Sequence, residues 1–137
     1  MPTTGDPAAS LGDATRVALH TILVVEDEDL VRGTVACELE EAGFIVLQAA
    51  NAEAGLDILE RREVGLLFTD IRLPGAFDGW RLAEKARVLR PDLPVIYATG
   101  FTAEAPRIVP GGVFLRKPYL PSTVIAEIEK LVGPQPS

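Results

Sequence analysis

Apolar residues in this chain gather alternately in short unbroken runs and in stripes at helical spacing. The first run, over residues 20–25, places Ile22, Leu23, Val24 and Val25 in succession and stops at Glu26-Asp27-Glu28-Asp29. An apolar run without polar alternation is the pattern of a strand covered on both faces. Val31, Val35 and Leu39 then repeat at i, i+4 and i+8, which predicts a helix over 30–42 ended by Gly43. Residues 44–48 read as a second strand. Asn51 reads as the N-cap of a helix over 52–62 with Leu56 and Leu59 inward. A third strand over 64–69 ends abruptly in a carboxylate, Asp70, after which Ile71, Arg72, Leu73, Pro74 and Gly75 turn the chain. Past Asp78-Gly79, Leu82, Ala86 and Leu89 share one face of a helix over 80–89, and Pro91, Asp92 and Pro94 break it. Residues 93–98 read as a fourth strand, followed by Thr99 and Gly100. Pro106 and Pro110 argue against a long regular helix in 101–110. A short fifth strand over 113–115 leads into Arg116-Lys117-Pro118. Val124, Ile125, Ile128 and Leu131 predict a last helix over 121–132, stopped at Gly133-Pro134.

Strands alternating with helices give a parallel sheet with helices on both faces, an α/β fold. In such sheets ligands bind in a crevice outside the carboxyl ends of the strands. The predicted strand ends deliver Glu26 and Asp27, then Asp70, Thr99 and Lys117 to that edge.

Composition narrows the class further. A chain of 137 residues, 47% hydrophobic and 24% charged, suits one soluble domain with a real core. A net charge of −7 without a basic patch disfavours direct nucleic-acid binding. No apolar run approaches the ~20 residues needed to span a bilayer, and the first residues lack the pattern of a signal peptide. Membrane insertion is therefore not expected, and a cytoplasmic location is. Residues 1–16 offer little to bury and read as a disordered tail, with the folded domain over 17–133 and a short tail over 134–137. The single cysteine, Cys37, excludes an internal disulfide, and within a helical stripe it reads as a small buried hydrophobe. His20 has no nucleophile paired with it in the pattern and reads as structural or merely exposed.

Three carboxylates from two strand ends repel one another unless one is protonated or a cation joins them. Glu28 or Asp29 can cap the following helix, but capping does not need four acids. A hard divalent ion such as Mg2+ takes oxygen ligands of this kind. Lys117 adds an ammonium and Thr99 a hydroxyl. A cation, an ammonium and a hydroxyl around one carboxylate make a cradle for a phosphoryl group, and an Asp nucleophile forming an acyl phosphate is established chemistry.

These motifs, with Ile71-Arg72-Leu73-Pro74-Gly75 and Asp78-Gly79 after Asp70, Ala98-Thr99-Gly100, and Lys117-Pro118, resemble the receiver domain of two-component response regulators over about residues 21–132. The resemblance implies a flavodoxin-like, doubly wound, five-stranded parallel sheet. It implies Asp70 as phosphoacceptor for a phosphohistidine on a sensor histidine kinase or histidine phosphotransfer protein. It implies Mg2+ held by Asp27 and Asp70 directly, by Glu26 mainly through water, and by the backbone carbonyl of Arg72. Thr99 would bond a phosphoryl oxygen, Lys117 would pair with it, and Phe114 falls at the aromatic switch position coupled to Thr99.

Three departures from the common family pattern stand out. The loop after Asp70 is one residue longer. Lys117 lies only 18 positions after Thr99, so the fourth helix is expected to be shortened or irregular. Phe114 replaces the commoner tyrosine or threonine. Tyr97-Ala98-Thr99-Gly100-Phe101 also resembles a motif of stand-alone receivers. Because only residues 133–137 follow the last helix, the expectation is a stand-alone receiver, or a piece of a larger protein. It would signal by binding an unknown downstream protein, as a monomer or weak dimer. It would catalyse only its own phosphorylation and dephosphorylation. Two other readings are a small Mg2+-dependent phosphatase and a phosphate-independent pseudo-receiver. The first usually needs a second acid where this chain has Arg72, and the intact site residues speak against the second.

Overall fold

The structure, a computed structural model, describes residues 18–100 and 107–133. Five strands, β1 (Thr21–Val25), β2 (Ile45–Ala49), β3 (Leu66–Asp70), β4 (Val95–Thr99) and β5 (Val113–Arg116), form one parallel sheet in the order β2-β1-β3-β4-β5. The helices between and after them are α1 (Asp29–Glu41), α2 (Ala52–Arg61), α3 (Gly79–Leu89) and α4 (Pro121–Val132). This is the expected flavodoxin-like fold, with the strand order reversing beside β1.

The unbroken apolar runs are explained by layers on both faces. Alternate side chains of a strand point to opposite sides. In β1, Leu23 and Val25 join Leu59 of α2 and Leu82, Ala83 and Ala86 of α3, whereas Ile22 and Val24 join Val35 and Leu39 of α1 and Val124 and Ile128 of α4. β1, β3 and β4 are buried at every position, which fixes the centre of the sheet.

Register then sets the edge. Val25 is level with Thr69, Asp70 with Ala98, and Thr99 with Arg116. Glu26, Asp70, Thr99 and Lys117 therefore leave their strands within about one residue of a common row.

Several sequence expectations change. Cys37 is exposed, because in α1 the buried face is Val35, Ala36 and Leu39, and Cys37 falls between them on the outer side. Leu89 is exposed as well, since the buried face of α3 runs through Trp80, Leu82, Ala83 and Ala86. Glu28 occupies the N-cap of α1 without a side-chain cap bond, and Asp29 pairs instead with Arg32 at 2.6 Å. His20 is buried and structural: its ring faces Phe44 and its Nε2 lies 3.4 Å from the Gly133 carbonyl. Residues 107–112 form irregular backbone with a turn rather than a helix, and 101–106 lie outside the described residues, as do both tails. Among the described residues no helix is long and apolar enough to cross a membrane.

Candidate functional site

Each acidic group at the sheet edge is held by backbone before its side chain is considered. Glu26 follows β1; its N–H donates to the Ala49 carbonyl at 3.1 Å and its carbonyl accepts from Arg32 at 2.7 Å. Neighbouring strand and helix thus pin it from both sides. Its carboxylate, 5% exposed as a residue, accepts from the Glu28 N–H at 3.1 Å and from Lys117 Nζ at 2.7 Å. That first bond ties the carboxylate to the backbone of Glu28, the residue that precedes α1.

Asp70 ends β3 and is buried. Its Oδ1 accepts from the Arg72 N–H at 3.2 Å and its Oδ2 from Lys117 Nζ at 3.0 Å. Behind it the chain packs so closely that a Cβ on Gly79 would lie 2.0 Å from the Asp70 carbonyl oxygen. The Gly79 N–H donates to the Ile71 carbonyl at 2.8 Å, and Asp78 caps α3 by accepting from the Arg81 N–H at 3.0 Å. The start of α3 is thereby fixed against Asp70.

Thr99 ends β4 and is 2% exposed. Its carbonyl accepts from the Lys117 N–H at 2.9 Å, so one strand end places the next site residue directly. The Lys117–Pro118 peptide is cis. The Lys117 ammonium bridges Glu26 and Asp70. Partial burial works to lower its pKa, but the hydrogen bonds and charges of the two carboxylates outweigh that and hold it above the usual lysine range.

Oxygen atoms of Glu26, Asp27 and Asp70 all lie within 4.8 Å of one another. Desolvation, a hydrogen bond to Glu26 and the charge of Glu26 push the Asp27 carboxyl above its ordinary value. One ammonium against three carboxylates leaves an excess of two negative charges when all are ionised. A divalent oxygen-seeking cation fits that excess and that donor set. Asp27, Glu28, Asp70, Arg72, Thr99, Gly100 and Lys117 line a cleft of about 500 Å³ over these groups. All the site residues read from the sequence are thus brought together except Phe114.

Phe114 is level with Tyr97, two residues short of the sheet edge, and half-buried. Its ring stacks on Trp80 at 6.4 Å between centroids and 9° between planes, and Trp80 in turn meets Tyr97 at 4.8 Å. Trp80 also borders a second cleft with Asp27, Arg72 and Asp78. The site and the aromatic cluster therefore share Trp80, a connection that periodicity alone did not signal.

The model of the response regulator receiver domain matches residues 22–129. The chain is 34% identical over 121 residues to the response regulator receiver protein CpdR of Brucella abortus (strain 2308), covering 83% of this chain and 98% of CpdR. It is equally identical over 120 residues to the sensor kinase CckA of the same organism, covering 80% of this chain but 13% of CckA. A crystal structure of a response regulator receiver protein from Sinorhizobium medicae WSM419 superposes with a TM-score of 0.78 at 30% identity, covering 82% of this chain and 93% of that one. With the sheet order, the clustered acids and the bridging lysine already in place, these likenesses put the chain in the response regulator receiver family of two-component systems.

Proposed function

We propose that Asp70 accepts a phosphoryl group from a phosphohistidine of a sensor histidine kinase or histidine phosphotransfer protein, with Mg2+ bound beside it. The observation that carries this reading is the bridging ammonium of Lys117, 2.7 Å from Glu26 and 3.0 Å from Asp70, beside a cluster of three carboxylates. Asp27 and Asp70 would hold the ion directly, Glu26 through water, and the Arg72 carbonyl would complete the protein ligands. When bound, Mg2+ neutralises charge on the equatorial oxygens of the transferring group.

The chain's own residues do the rest. An Asp70 carboxylate oxygen attacks phosphorus as the phosphorus–nitrogen bond of the donor breaks, leaving that electron pair on the imidazole. Lys117 is already hydrogen-bonded to Asp70 and moves onto a phosphoryl oxygen as the acyl phosphate forms. Thr99, buried at the end of β4, supplies its hydroxyl to another oxygen. The Arg72 N–H keeps the acceptor carboxylate oriented through its second oxygen. The protein acts on no separate substrate; its catalysis is confined to gaining and losing its own phosphoryl group.

Output follows from a two-state switch in a protein–protein surface. As Thr99 is drawn to the phosphoryl group, Phe114 turns toward the vacated space and leaves its stack on Trp80. Residues 107–110 rest on that cluster: the Val109 N–H donates to the Tyr97 hydroxyl at 3.1 Å, and Arg107 pairs with Glu84 at 2.6 Å. That stretch then repacks against α3 and presents a changed face to the downstream protein.

The test is incubation with acetyl phosphate and Mg2+ followed by intact mass measurement. A gain of one phosphoryl group is expected in the native chain and none in Asp70→Asn. Modification that persists in Asp70→Asn overturns the assignment.

A further inference from the structure

The loop from Asp70 to Asp78 is anchored at its base, where the Ile71 N–H donates to the Ala98 carbonyl at 3.2 Å and the Gly79 N–H to the Ile71 carbonyl at 2.8 Å. Its tip is held from another element. Glu53, in the first turn of α2, accepts at Oε2 from the Ala76 N–H at 3.0 Å. Gly75 has φ +104°, and a Cβ there would meet Glu53 Oε1 at 2.4 Å and Oε2 at 2.7 Å. The carboxylate therefore sits down on the bare backbone of Gly75 while it grips the next amide. A bulkier residue at 75 is disfavoured by its backbone conformation, and its Cβ would displace the Glu53 carboxylate from the loop. The backbone that carries Glu53 is ordered, because Asn51 caps α2 by accepting from the Ala54 N–H at 2.8 Å. Apolar contacts of Leu73 and Phe77 with the core, and Lys85 5.3 Å from the Phe77 ring, supply the remaining hold on the loop.

We propose that Glu53 is a positioning residue for the divalent-cation site. It fixes the tip of the loop whose early residue, Arg72, offers its carbonyl to the ion and its N–H to Asp70. The inference rests on the Mg2+-binding reading above. Glu53 touches no ligand atom; it acts by denying the loop conformations in which the Arg72 peptide rotates away. The side-chain oxygen needs to accept a hydrogen bond but need not carry charge, so Gln replaces it and Ala does not.

The experiment compares the full chain with Glu53→Ala and Glu53→Gln by two measurements. The first is amide hydrogen exchange of peptides covering residues 73–77 without metal. The second is calorimetric titration with Mg2+ chloride. Glu53→Ala is expected to speed exchange in that loop alone and to weaken Mg2+ binding about threefold to tenfold, at or just below the usual effect of groups that orient metal ligands. Glu53→Gln is expected to restore both. Faster exchange with unchanged Mg2+ affinity overturns the proposal, as does unchanged exchange, or a Gln variant as weak as Ala. A native chain that takes up no Mg2+ defeats this inference and the metal-dependent reading together. A native chain that binds while Glu53→Ala binds equally well defeats this inference alone.

Discussion

Individual residues at the sheet edge are poised by opposing charges. Replacing Lys117 with Met removes the ammonium that bridges Glu26 and Asp70 and leaves their repulsion to the cation. Mg2+ binding is expected to be retained or to tighten, while phosphoryl uptake from acetyl phosphate is lost; calorimetry and intact mass separate the two. Lys117 itself titrates only in strong alkali: its folded pKa is raised, so its contribution is complete below its ordinary 10.5 and is lost as pH rises from there through the folded pKa. Asp27 contributes at the acid end. Its folded pKa also lies above its ordinary 3.8, so the metal-free protein is favoured below that value and loses that contribution as pH rises through the folded pKa. Metal requires the ionised form. The rise in Tm produced by Mg2+ is therefore expected to be full at neutral pH and to vanish as pH falls through the Asp27 folded pKa, in melting curves at a series of pH values. The grouping of Glu26, Asp27, Asp70 and Lys117 was legible in sequence because each lies within two residues of the end of an apolar run, where side chains meet the crevice. Glu53 was not. A single acid in the first turn of a helix is ordinary dipole complementarity, and only its approach to Gly75 and Ala76 separates it from that role.

Elements transmit these residue-level demands through their ends. The N-cap of α2 was readable from Asn51, and the bond to Ala54 bears it out. Asn51→Ala is expected to cost about 1 kcal/mol in urea unfolding. The close fit of α3 against β3 was not readable, since Gly79 looks like any turn glycine until the Asp70 carbonyl is seen beside it. Gly79→Ala must push α3 off β3; it is expected to lower Tm and slow phosphoryl uptake together. In β4, Tyr97 is fully buried, and its hydroxyl receives the buried Val109 N–H. Tyr97→Phe leaves that N–H unpaired at a cost of about 1–3 kcal/mol. Burial chiefly raises the Tyr97 pKa above its ordinary 10.0. The native fold therefore keeps this contribution below pH 10.0 and loses it as pH climbs through the folded pKa, so Tyr97→Phe is expected to flatten the alkaline limb of the stability curve. Misjudged burial at Cys37 and Leu89 has one cause. Periodicity gives the angle between side chains on a helix, but which angle faces the sheet, and where the sheet ends, depends on docking.

At the scale of the whole molecule, a bound divalent cation and the fold should support each other. Mg2+ at a hundredfold excess over its Kd is expected to add about 2.7 kcal/mol to stability by linkage, and chelation to remove it. Because Trp80 borders the cleft of Asp27 and stacks on Phe114, its emission is expected to change on Mg2+ binding and again on phosphorylation; Phe114→Ala should abolish the second change and spare the first. From the sequence alone came the alternation of strands and helices, hence the parallel sheet, and the presence of acids, a hydroxyl and a lysine at its carboxyl edge. Those follow from local periodicity and from the abrupt ends of apolar runs. Tertiary structure alone decided the strand order and register that bring Lys117 across 47 positions to Asp70 and 91 to Glu26, the grip of Glu53 on the loop, and the shared position of Trp80 between cleft and aromatic stack. Distances between residues far apart in the chain are set by how layers pack, and packing is a sum over the entire core that no local pattern contains.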